Sequence, residues 1–162
     1  MKRIKRIMEL PGDVYREIKF AVQRVRRGYS ARDVWSFDDW FLNVIPNMLR
    51  DLSEMECGYS LAIQPEFYEK HSAEFLVPLN ALIYFSNQND ERIKAPEELV
   101  RKFDLGCGEY WKGTLIKMAE ILDNCREAPK KYSDYRERDK VREDSLKEFS
   151  QLFVKYFEDL WA

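Results

Sequence analysis

The amino-acid sequence predicts an all-α protein, a single compact bundle of about five to seven helices with kinked central helices and a long C-terminal helix. Apolar residues recur three and four apart along most of the chain, the spacing of one helical face. Six Gly and six Pro accompany 45% hydrophobic and 35% charged residues, a composition of helices with dense surface charge. The strongest β-like alternation is the short run Arg3 to Met8. At 162 residues, one domain over 1–162 is expected, long enough to bury a core without disulfides or metals.

Taken in order, Pro11-Gly12-Asp13 reads as a turn with Asp13 as N-cap, and Val14, Ile18, Val22 and Val25 give one apolar face of a helix that ends at Gly28. Its other face carries Arg16, Lys19, Gln23, Arg26 and Arg27. Two capping signatures follow, Ser30 with Asp33 and Ser36 with Asp39, so a short helical turn precedes a longer helix. That helix carries Trp40, Phe41, Val44, Ile45, Met48, Leu49 and Leu52, is interrupted by Pro46 and ends near Cys57-Gly58. Pro65-Glu66 opens the next, running to Phe85 with a bend at Pro78, before a polar loop from Ser86 to Lys94. A short helix follows from Pro96 to about Phe103, punctuated by Gly106-Cys107-Gly108. Tyr110, Trp111, Leu115, Met118, Ile121 and Leu122 mark another helix, to about Arg126, broken at Pro129. The last helix begins near Ser133 and docks its end through Leu146, Phe149, Leu152, Phe153, Tyr156, Phe157, Leu160 and Trp161.

Charge and cysteine content narrow the setting. The net charge is -2, with 27 basic against 29 acidic residues, although the first 27 positions are distinctly basic. Nothing global argues for a nucleic-acid or membrane partner. Cys57, Cys107 and Cys125 form no CxxC pair and suit a reducing compartment as buried thiols. No run approaches the ~18 apolar residues of a membrane span, and Met1 to Arg6 lacks the apolar core of a signal peptide, so a cytoplasmic location is expected.

No motif specifies catalysis. His71 is the only histidine, and no nucleophile elbow or cysteine signature accompanies it, so it reads as a partly buried helix residue. The cysteine spacings fit no zinc motif, no Gly-rich phosphate loop or EF-hand loop occurs, and Glu69-Lys70-His71 is not the Glu-x-x-His pair of a bundle metal site. No metal or cofactor is called for.

The dense segment from Arg26 to Asp38 is the leading site. Arg26, Arg27, Tyr29, Arg32, Asp33, Trp35 and Asp38 bring charged groups next to large aromatic faces around two helix starts. They are the ligand-binding candidates, against the alternative of a polar cluster that locks a corner between helices. Trp40, Tyr110, Trp111 and Trp161 are partner-binding candidates. Trp35 and Trp161 are also expected in the core, where replacement by Ala costs about 3 to 5 kcal/mol.

Arg27-Gly28-Tyr29-Ser30, then Arg32-Asp33-Val34-Trp35-Ser36 with Asp38, resembles a widespread group of small tailed-bacteriophage and prophage proteins of unknown function. The resemblance continues through Tyr110-Trp111 with Leu115, Lys117 and Met118, and through Leu146, Leu152 to Phe157, Leu160 and Trp161. It implies a phage-encoded protein inside an infected bacterial cell and supplies no mechanism. The stretch from about Gln64 to Lys102 falls outside it and stands as a candidate insertion.

Three function classes remain. The first is a non-catalytic binding protein acting on a host or phage macromolecule, including antagonism of a host defence. The second is a nucleotide or nucleic-acid binder using the Arg/Tyr/Trp cluster, with Arg26, Arg27 and Arg32 on phosphates and Tyr29 on a base. The third is a carboxylate enzyme using Asp33 and Asp38, which needs environments that separate their pKa values.

Overall fold

The computed structural model describes residues 12–55, 58–83 and 95–160. Among them are seven α-helices and a closing 3-10 turn, and no strand. The fold is all-α. The Arg3 to Met8 alternation, Cys57, the loop from Ser86 to Lys94 and Trp161 lie outside the described residues. The chain divides into two compact units, Met1–Val44 and Ile45–Ala162.

The first unit contains α1 (Gly12–Arg27), α2 (Ala31–Trp35) and the first turns of α3 (Phe37–Glu54). Asp13 lies in the first turn of α1 rather than capping it, and pairs with Arg16 at 2.5 Å. Gly28 takes φ 78°, the left-handed conformation that glycine adopts most readily, and its amide returns to the Arg24 carbonyl at 2.8 Å to close α1. The capping box before α2 forms as the sequence predicts, with the Ser30 amide donating to Asp33 Oδ2 at 2.7 Å. Helical backbone in α3 continues through Pro46.

The second unit is organised by α6 (Glu97–Lys131), whose 35 residues span about 52 Å at 1.5 Å per residue. Phe103, Cys107, Trp111, Leu115, Met118, Leu122 and Cys125 form a continuous buried stripe along it at spacings of three and four. Three residues then connect to α7 (Tyr135–Tyr156), a tight link that makes the two helices antiparallel neighbours. Three contacts keep one register: Cys125 lies against the Arg142 carbonyl, Lys117 pairs with Glu148, and Trp111 meets Tyr156 edge to face. Phe67 and Phe75 of α4 (Ile63–Phe75) pack on Phe103 of α6, with ring centroids 5.6 and 5.4 Å apart. At the start of α4, Glu66 accepts from Tyr156 Oη at 2.7 Å and pairs with Lys155. Burial opposes the charge on Glu66, but these two partners outweigh it and lower its pKa.

Two elements differ from the sequence expectation. The helix expected to run to Phe85 stops at Phe75, because Leu76 adopts φ 54°; Pro78 then caps the separate short α5 (Leu79–Leu82). In contrast, Gly106-Cys107-Gly108 does not punctuate anything, and Pro129 does not end the helix at Arg126. Gly106 is a packing residue: a Cβ there would come within 2.8 Å of Phe67 Cε1, so the α4 ring lies directly on the α6 backbone. Helical backbone instead continues through Pro129 to Lys131.

Candidate functional site

The corner between α1 and α2 is built by a chain reversal. Gly28 turns the backbone back on itself, and residues 30–33 then run beside the last turn of α1. Three α1 side chains clamp the returning segment. Arg24 grips Asp33 with both arms of its guanidinium, at 2.9 and 2.5 Å; Gln23 accepts from the Ala31 amide at 2.8 Å; and Glu17 pairs with Arg32 at 3.2 Å. Arg24, reinforced by the Ser30 amide, holds the Asp33 carboxyl well below the usual carboxylate range, so Asp33 stays ionised and is only 7% exposed.

Next to this clamp is a cleft of about 370 Å³ lined by Arg27, Tyr29, Asp33, Val34, Phe37 and Trp40 together with Gly28. Phe37 and Trp40 stack at 5.9 Å, one turn apart on α3. Trp35, expected in the core, is instead 91% exposed beside the cleft, and Phe37 is 61% exposed. The five-residue helix, fixed by caps and ion pairs, buries Asp33 and leaves both Val34 and Trp35 exposed.

The structure thus brings together Arg27, Tyr29, Asp33 and Trp40 of the sequence candidates. Arg26, Arg32 and Asp38 are exposed and do not line the cleft. Arg24 and Gln23, which position Asp33 and Ala31, were not singled out from the sequence. A signal existed: both lie within about one and a half turns of Gly28, where a reversed chain must pass. Of the three arginines of the phosphate reading, Arg27 lines the cleft, Arg32 pairs with Glu17, and Arg26 stands outside the cleft. The Asp33 and Asp38 pair of the enzyme reading is compromised, since Asp33 is committed to Arg24 and the Ser30 amide.

The remaining candidates fall in the second unit. Trp111 is 5% exposed and packs against Tyr156 at 5.2 Å, which makes it a core residue rather than an exposed anchor. Trp161 lies outside the described residues. Tyr110 lines a second concavity, between α4 and α6, together with His71. Cys107 is fully buried, and burial pushes its thiol up to about 12, so no thiolate forms near neutral pH. Among the described residues no three His, Cys, Asp or Glu side chains are grouped to hold a metal ion, and no helix is long and apolar enough to cross a membrane.

Compared with known protein families, curated proteins and solved structures, the chain matches none.

Proposed function

We propose that the chain is a non-catalytic binding protein of a tailed bacteriophage or prophage, acting in the bacterial cytoplasm on a host or phage protein through the corner from Arg27 to Trp40. Antagonism of a host defence is one such role. The observation that carries this reading is the display of large aromatic side chains on a hydrogen-bonded polar clamp. Trp35 and Phe37 are open to solvent beside an apolar cleft, and Arg24 with Asp33 fixes the backbone that presents them. Pre-ordered aromatic residues around a pocket supply most of the affinity in protein interfaces, because little rotamer entropy remains to be lost. Arg27 at the rim favours a partner that places a carboxylate next to an apolar side chain. The phage setting rests on the sequence resemblance and agrees with thiols kept reduced and buried.

The test is recovery of the chain from expressing bacteria, followed by native mass spectrometry. A single host or phage protein at fixed stoichiometry is expected with the natural sequence and absent with Trp35→Ser and Phe37→Ser. A partner retained by both variants, or no partner at all, overturns the reading.

A further inference from the structure

The larger concavity, about 770 Å³ between α4 and α6, is independent of the corner and differs from it in chemistry. Its size lies within the range of small-ligand sites, roughly 300 to 1,000 Å³. One wall is aromatic: Phe67 and His71 stack at 4.5 Å, and Tyr110 meets Phe67 at 6.1 Å. One turn beyond Tyr110 on the same helix, α6 contributes bare backbone. A Cβ built at Gly113 meets nothing within 4 Å, so this position leaves open space where any other residue would project a side chain.

The charged groups separate into those already neutralised and those still available. Glu74 is held by Lys102 at 3.0 Å and by His71 Nδ1 at 2.8 Å, and Lys117 is held by Glu148 at 2.8 Å. Lys70 instead donates to the neutral hydroxyl of Tyr110 at 2.5 Å and lies 4.6 Å from that ring's centroid. An ammonium has three donors, so two remain for an anion. With Nδ1 engaged by Glu74, His71 offers Nε2 as its second polar atom. Glu109 and Thr114 also line the groove as acceptors. The donors that Lys70 and His71 still offer complement an anionic group on a ligand.

We propose that this groove binds a nucleotide-class ligand, with a planar ring in the space over Gly113 against the Phe67, His71 and Tyr110 wall, its phosphate on Lys70 and its hydroxyls on Glu109. An aromatic wall, an ammonium and a carboxylate acceptor in one cleft recognise the three parts of such a molecule.

The experiment titrates the full chain with the four ribonucleoside monophosphates by calorimetry, with the matching nucleosides and inorganic phosphate in parallel. At least one monophosphate is expected to bind about tenfold more tightly than its nucleoside and than phosphate. Gly113→Leu projects a side chain into the open space and weakens that binding by about tenfold or more without lowering the thermal midpoint. Lys70→Gln weakens the monophosphate and leaves the nucleoside unchanged. Binding of none of the four, equal binding of nucleoside and monophosphate, or affinity unmoved by both Gly113→Leu and Lys70→Gln overturns the proposal.

Discussion

Around α6 the chain buries its aromatic residues, whereas in the corner from Arg27 to Trp40 it displays them. Phe103 and Trp111 sit in a stripe that α4 and α7 cover, while Trp35 and Phe37, no less apolar, face solvent. The difference follows from how each region is held. A helix of 35 residues beside one of 22 offers a continuous seam, so apolar contact supplies the stability. A helix of five residues has no such seam, and hydrogen bonds and ion pairs fix it instead. Polar fixing leaves the apolar side chains unused by the fold, and so available to a partner.

The largest test of that contrast replaces core leucines. Leu115→Ala and Leu122→Ala remove fully buried side chains from the α6 stripe and should each destabilise by about 2 to 5 kcal/mol in chemical denaturation. Losses below about 1 kcal/mol would mean that the seam is not what holds the second unit.

Next in size is a comparison of two glycines on one helix. Gly106→Ala drives a methyl into the Phe67 ring and should cost about 1 to 3 kcal/mol, through forced movement of α4. Gly113→Ala meets nothing and should stabilise, by up to about 1 kcal/mol, as Ala is the better helix former. Equal effects at the two positions would remove the argument that Gly106 exists for close packing.

The corner itself should respond to smaller, polar changes. Ser30→Ala removes the cap of α2 and should cost about 1 kcal/mol. Asp33 adds a pH signature whose sign is fixed by its partners. Because Arg24 and the Ser30 amide depress the folded-state pKa, the stability from the ionised carboxylate is fully present above the ~3.9 of a free Asp and is lost as pH falls through the folded value. Asp33→Asn should therefore be less stable than the natural chain at pH 7, and the gap should close progressively below about pH 4. A gap that persists unchanged at acid pH would show that the carboxylate charge is not the clamp.

Local signals explain what was legible in the sequence. The capping box at Ser30 and Asp33, the helix stop at Gly28 and the helix start after Pro96 each depend on a few neighbouring residues, and each appears where the pattern places it. What was not legible depended on distant partners. Gly106 reads as a breaker until Phe67, 39 positions earlier, is seen to need its missing side chain. Arg27 and Arg32 stand out in the sequence for their density among aromatic residues, yet it is Arg24 that the reversal at Gly28 delivers to Asp33. His71 is the helix residue its surroundings in the sequence indicate, but the groove it lines needs α6, which no pattern around residue 71 encodes.

The smallest expected effect on stability is the one that bears most on function. Trp35→Ala removes the largest exposed side chain of the corner, and at 91% exposure it gives up almost no buried area, so the change should stay within about 0.5 kcal/mol. The same substitution should abolish stoichiometric recovery of the partner, because an aromatic anchor contributes to binding in proportion to the area it buries there rather than in the free protein. A loss of several kcal/mol in the isolated chain would place Trp35 in the core and take away the surface on which the binding reading stands. Unchanged stability with unchanged partner recovery would leave the clamp intact but move the contact elsewhere on it, towards Phe37 and Tyr29 at the mouth of the cleft.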